Sequence, residues 1–223
     1  MEILYCRSED FSHESLYKMK KYLSPEKQAR IEKIRRIEDI KSTIISELLI
    51  RMFIKKIYNE NTTISYTEFN KPYLLTHPNI HYNVSHSGNY IICGVDNCSI
   101  GVDIELIESN IESNLDIAKH FFNKDEYNYL LGSPEYRQNE LFYELWTLKE
   151  SFIKLLGGGL HVDLNSFNIH MGKCIKVKSG LNMPFYFRLY ELDEKYKMAV
   201  CSTNNIFPNK LIKVGREDLV GVF

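Results

Sequence analysis

Across residues 81–105, "HYNVSHSGNYIICGVDNCSIGVDIE", the apolar side chains fall into β-branched runs at 90–95 and 100–104, too short for helices and bounded by turn residues. Runs of this kind demand a sheet. The intervening "DNCS" predicts a hairpin with its turn near Asp96 and Asn97. The second run contains a conflict. Successive strand side chains point to opposite faces, so Asp103 and Glu105 share one face with their charges side by side. Two adjacent carboxylates repel, and a lysine, an arginine or a metal ion has to hold them together.

Elsewhere the apolar period is helical. "SPEKQARIEKIRRIEDI" opens with Ser24 as N-cap and Pro25 at the first helical position, and Ile31, Ile34 and Ile37 recur at helical spacing. A second helix is expected over about 40–58, carrying Ile44, Ile45, Leu48, Leu49, Met52 and Phe53. Helices return at about 113–131 and 138–156, the last stopped by Gly157, Gly158 and Gly159; "FYFRLYEL" and "KMAVCST" then form a second hairpin. The pattern predicts an α+β protein of two similar lobes, 1–101 and 102–223, each with helices and a small antiparallel sheet.

The charge balance, 28 basic residues against 29 acidic, argues against bulk nucleic-acid packaging. Five cysteines (Cys6, Cys93, Cys98, Cys174, Cys201) are scattered without a C-x-x-C pair, which suggests neither a disulfide framework nor a zinc knuckle and fits reduced thiols. The N-terminus has no basic segment followed by an apolar core, and no apolar run approaches a membrane span, so a cytoplasmic location is expected.

In the helix containing "LWTLKESFIKLL", Leu141, Leu145, Leu148, Phe152 and Leu155 make a core-facing stripe, and Trp146, Glu150 and Lys154 a separate ridge. Alone, Glu150 and Lys154 read as an ordinary i,i+4 surface pair. Joined to Asp103 and Glu105, Glu150 is a third hard oxygen ligand, and such a set suits Mg²⁺ shared with a substrate phosphate. Without it, the strand acids simply face solvent or pair with lysines. His86, flanked by Ser85 and Ser87 in "NVSHSG", is a turn stabiliser or one donor of a phosphate-binding cluster. No G-x-S-x-G elbow supports a catalytic triad, no third N or S ligand joins His81 and His86, and no Walker-type loop is present. Residues 18–36 hold eight Lys or Arg against two acids, a solvated face or a phosphate-binding one. On the residues alone, a Mg²⁺-dependent phosphodiesterase or nuclease and a non-enzymatic nucleic-acid-binding protein both stay open.

Taken in order, "NKPYL", "NVSHSG", "IGVDIE" and "WTLKESFIK" resemble the successive motifs of 4′-phosphopantetheinyl transferases of the long, Sfp-type class, with similarity running from about residue 24 to 202. The resemblance implies a pseudo-twofold monomer of two α/β lobes with coenzyme A and Mg²⁺, or Mn²⁺ in its place, in the cleft between them. It implies transfer of 4′-phosphopantetheine from coenzyme A to a serine of an acyl or peptidyl carrier protein domain, releasing 3′,5′-ADP, with neither membrane nor nucleic acid as partner. Carried over residue by residue, it implies Asp103, Glu105 and Glu150 as metal ligands. Coenzyme A contacts are implied at Lys27, Arg30, Thr43, Lys71, Pro72, Ser85 and His86. Lys149 and Lys154 are implied at the pyrophosphate and Glu126 as general base. The carrier would dock near Lys119, Phe121, Phe122 and Lys124. Two positions depart from the family pattern: Asn70 stands where a glycine is common, and Ser42 where an arginine often precedes Thr43, a departure that implies 3′-phosphate binding leaning more on Lys27, Arg30, Lys41 and His86.

Overall fold

The computed structural model describes residues 1–223, apart from the side chain of Leu160. The chain runs through β1 (Glu2–Arg7), α1 (His13–Met19), α2 (Pro25–Ile31), α3 (Ile37–Tyr58), β2 (Ile64–Tyr66), β3 (Pro72–Leu74), β4 (His81–Ser87), β5 (Tyr90–Asp96) and β6 (Ile100–Leu106). It continues through α4 (Ile111–Phe121), α5 (Lys124–Leu131), α6 (Glu135–Leu156), β7 (Asn168–His170), β8 (Lys176–Lys178), β9 (Tyr186–Tyr190), β10 (Tyr196–Ser202), β11 (Ile212–Lys213) and α7 (Arg216–Val220).

Two sheets, ordered β11-β1-β5-β4 and β6-β10-β9, carry the fold. Each half repeats one plan, a 22-residue helix over a small sheet. Period-two alternation sorts the strand residues. Ile91, Cys93 and Val95 of β5 join the core under α3, while Tyr90 and Ile92 join Ile100, Val102, Ile104, Met198 and Val200 in a second core between the sheets. A third core, holding Leu145, Leu148, Phe152 and Leu155 with Ala199 and Cys201, lies under α6. The layers are therefore α3, first sheet, second sheet, α6. The end of the chain returns to the first lobe: β11 pairs parallel with β1, Leu219 enters the α3 core, and Phe223 stacks on Tyr22 at 4.8 Å.

Three elements differ from the sequence expectation. The runs 90–95 and 100–104 do not form a hairpin with each other: β5 pairs with β4 and β1, and β6 pairs with β10. Two apolar runs say nothing of their partners, and the tight turn falls instead at Gly88–Asn89, where Gly88 takes φ 51°. The helix capped by Ser24 ends at Ile31, its last turn tightened by Lys33 N–H to Arg30 O and Ile34 N–H to Ile31 O bonds, and α3 begins afresh at Ile37. The expected 113–131 helix is broken, because Asn123 and Glu126 form a capping box that starts α5. The β9–β10 hairpin, the span of α3 and the Gly157 cap at φ 77° match the expectation, whereas β1, α1, β2, β3, β4, β7, β8, β11 and α7 were not expected.

One glycine fixes the distance between β6 and α6. A Cβ at Gly101 would lie 2.0 Å from Ser151 O and 2.5 Å from Leu155 N, so only glycine lets the helix backbone rest on the strand. Strand acids and helix acid meet as a result.

Candidate active site

On the face of β6 that meets α6, Asp103 is 1% exposed. Its Oδ1 accepts from Lys154 Nζ at 2.5 Å and from Ser85 Oγ at 2.9 Å, and its Oδ2 is buried with no hydrogen-bond partner. Lys154 Nζ also donates to Ser85 Oγ at 2.9 Å. Glu105 Oε2 accepts from Ser87 Oγ at 2.9 Å. Burial first, then the Asp103 charge, pushes the Glu105 carboxyl up to about 7, and burial and Asp103 raise Glu150 as well.

The lysine among the possibilities for holding Asp103 and Glu105 together is thus Lys154, but one ammonium faces three carboxylates. Among the described residues no three acidic, His or Cys side chains stand in metal-holding geometry. The donor set nevertheless fits a hard divalent cation: carboxylate oxygens in electrostatic reach of one another, surplus negative charge, and the unpartnered Asp103 Oδ2.

Strand β4 holds this face through side chains instead of a backbone ladder. Asn83, Ser85 and Ser87 alternate along it; Val102 N–H donates to Asn83 Oδ1 at 2.8 Å and Leu106 N–H to Ser87 Oγ at 3.0 Å. Asn83 and Ser87 were not among the expected site residues. Their signal is the same period of two that pairs Asp103 with Glu105.

Glu150 and Lys154 open onto a cavity of about 370 Å³ whose wall includes Lys71, Pro72, Asn83 and Phe121. Lys71 Nζ donates to Leu155 O at 2.6 Å, satisfying a carbonyl at the negative end of α6. The Asn70 departure has a geometric answer: its φ is 60°, a left-handed turn that glycine takes freely and asparagine tolerates. A second cavity, of about 360 Å³, is lined by Glu26, Lys27, Arg30, Tyr66 and Asn70, so Asn70 borders both. Thr43 is half-buried on α3 and lines neither, while Ser42 faces the core at 4% exposed. His86 remains solvent-accessible, yet its surroundings and the Lys154 ammonium still hold its imidazole below the ordinary value.

Glu126 and Lys149 do not join this group. Both side chains are sealed in the second lobe at 0% exposure, where Lys149 Nζ bonds Glu126 Oε1 at 2.8 Å, Oε2 at 2.7 Å and Phe167 O at 3.1 Å. The remaining capacity of Glu126 is taken by Ile169 N–H at 2.6 Å and Asn123 N–H at 2.7 Å. One residue of helix rotates direction by about 100°, so Lys149 points into the core while Glu150 faces the cleft. Phe121 and Phe122 likewise part: Phe121 is 47% exposed on the cavity wall, and Phe122 stacks on Phe142 at 5.5 Å in the core.

Three carboxylates and an ammonium group beside a cavity lined from both lobes suit a protein that handles phosphate esters. A family model described as the 4′-phosphopantetheinyl transferase superfamily matches residues 99–201, and one described as 4′-phosphopantetheinyl transferase, N-terminal, matches residues 10–97. The 4′-phosphopantetheinyl transferase Sfp of Bacillus subtilis (strain 168) is 36% identical over 215 residues, 94% of this chain and 95% of its own. The 4′-phosphopantetheinyl transferase psf-1 of Bacillus pumilus is 36% identical over 197 residues, 86% of this chain and 83% of its own. The L-aminoadipate-semialdehyde dehydrogenase-phosphopantetheinyl transferase of Mus musculus is 27% identical over 204 residues, 80% of this chain and 66% of its own. The chain belongs to the 4′-phosphopantetheinyl transferase superfamily. Among the described residues no helix is long and apolar enough to cross a membrane.

Proposed function

We propose that this enzyme transfers the 4′-phosphopantetheine group of coenzyme A to a serine of an acyl or peptidyl carrier protein domain. The serine Oγ forms a bond to the β-phosphorus, the bond from that phosphorus to the bridging oxygen breaks, and 3′,5′-ADP leaves. The observation that carries this reading is the meeting of Asp103, Glu105, Glu150 and Lys154 where β6, α6 and a cavity come together.

Asp103, Glu105 and Glu150 would hold Mg²⁺, or Mn²⁺ in its place. When bound, the cation supplies positive charge against the pyrophosphate oxygens. Lys154, held by Ser85 and Asp103, presents its ammonium to the same oxygens as the leaving group departs. Lys27 and Arg30 on one cavity, Lys71 and Pro72 on the other, and Ser85 with His86 on β4 bind and orient the nucleotide. The serine proton leaves to water in the open cleft, Glu126 being walled off from it with Lys149. We assign nucleotide contacts to residues 1–101 and the metal site to residues 102–223, acting as a cytoplasmic monomer without membrane or nucleic-acid partner.

Incubation with coenzyme A, Mg²⁺ and an apo carrier domain, read by intact mass, is expected to add one phosphopantetheine to the carrier. Asp103→Ala abolishes the addition and leaves the circular dichroism spectrum unchanged. Release of 3′,5′-ADP without a carrier at the full rate would instead mean hydrolysis, and full transfer by Asp103→Ala would remove the metal assignment.

A further inference from the structure

Glu47, on α3, is 4% exposed and lines none of the cavities described above. Its Oε1 accepts from Ser24 N–H at 3.0 Å and from Arg51 Nε at 2.8 Å, and its Oε2 is buried without a partner. Arg51 reaches on to Thr62 O at 2.8 Å, at the base of the β2–β3 hairpin. Ser24 in turn caps α2 by accepting from Lys27 N–H at 3.3 Å.

One buried ion pair thus ties two elements to α3: α2, which carries Lys27 and Arg30, and the hairpin, which carries Tyr66 and Asn70. Those four residues, with Glu26, are the walls of the 360 Å³ cavity. Lys27 Nζ already spans it, 5.8 Å from the centroid of the Tyr66 ring. A buried carboxylate with one oxygen unsatisfied is a poor way to gain stability, since an apolar pair of similar volume does as well or better. What this pair supplies is a fixed spacing between a basic wall and an aromatic one.

We propose that Glu47 is a positioning residue for coenzyme A: through Ser24 and Arg51 it sets α2 against the β2–β3 hairpin, and so places Lys27 and Arg30 for the 3′-phosphate. The inference rests on the reading that this cavity takes the nucleotide. The test compares the affinities of the full-length protein for coenzyme A and for dephospho-coenzyme A, which lacks that phosphate. Glu47→Gln lowers affinity for coenzyme A by about tenfold, the scale of one charge-assisted hydrogen bond lost from the ligand. Affinity for dephospho-coenzyme A and kcat at saturating coenzyme A stay within about twofold, because the loss is confined to one binding contact. A purely structural role would lower stability without changing the ratio of the two affinities. Arg51→Lys keeps the charge beside Glu47 and removes the fork to Thr62; it shows the same loss of ratio, and provides the test if Glu47→Gln does not fold. Lys27→Ala/Arg30→Ala sets the reference. If that variant loses the preference and the other two keep it, Glu47 has no positioning role. If it keeps the preference itself, the 3′-phosphate lies elsewhere and the inference falls with the reading beneath it.

Discussion

Replacing Glu126 by glutamine tests whether the Glu126–Lys149 pair is structural or chemical. Lys149 directs its three ammonium protons to Glu126 Oε1, Glu126 Oε2 and Phe167 O, while the carboxylate also receives the N–H groups of Asn123 and Ile169. Glutamine keeps the shape but turns one acceptor into a donor that faces one of those N–H groups, and it leaves the lysine charge uncompensated at 0% exposure. Breaking a buried pair in this way costs about 3–5 kcal/mol. Deprotonating Lys149 is no cheaper: lowering an ordinary lysine to neutrality at pH 7 takes about 5 kcal/mol. For a chain of this length each kcal/mol moves Tm by about 2–4 °C, so the transition should fall by about 6–20 °C. Urea and thermal unfolding followed by circular dichroism measure this, with kcat per folded molecule expected within a few-fold of the parent. Adding Lys149→Met to Glu126→Gln should recover part of the loss, because the unpaired cation is gone. A Glu126→Gln protein with the parent's urea midpoint and transfer reduced a hundredfold or more would refute the reasoning and return Glu126 to the role of base.

Gly101→Ala puts a methyl group against the backbone of α6, which cannot rotate away, so it should cost about 1–3 kcal/mol, at the upper end of overpacking, and weaken Mg²⁺ binding by parting Glu150 from β6; a urea midpoint equal to the parent's would count against the close approach. His86 is held below its ordinary value of 6.5, so the unfolded chain binds the more protons just below that pH and the contribution of His86, complete above pH 6.5, is lost as the pH falls. His86→Gln should therefore flatten the decline of the urea midpoint below pH 6.5; an unchanged slope would mean the imidazole is not shielded in the fold.

Helices with strong end signals were legible from the residues: Ser24 with Pro25 marks the start of α2, and Gly157 the end of α6, because caps are local chemistry. The partner of β6 was not. Ile100–Ile104 reads the same whether it pairs with β5 or with β10, and that choice is made by packing around Gly101 and the core between the sheets. The acidic face was legible because strand alternation places Asp103 and Glu105 together. The direction of Lys149 was not used: the family resemblance gave it a common role with Lys154, although five helical residues turn the two about 140° apart, and contacts with Phe167 and Glu126 bury it. Asn83 and Ser87 were within reach of the same alternation rule, applied to β4.

The return of the last segment to β1 has a bearing on how the protein is made. Cys6 Sγ bonds Val214 O across 208 residues of sequence, and β11 supplies one edge of the first sheet. During synthesis β1 can pair with β5 early, but its other edge stays open until β11 follows, so the first sheet is complete only after the segment that holds the acids has been made. Joining of such distant segments is slow. A fusion attached directly after Phe223, whose ring sits on Tyr22, would strain that seam, and one placed before Met1 would remove the buried pair between the Met1 ammonium and Asp96.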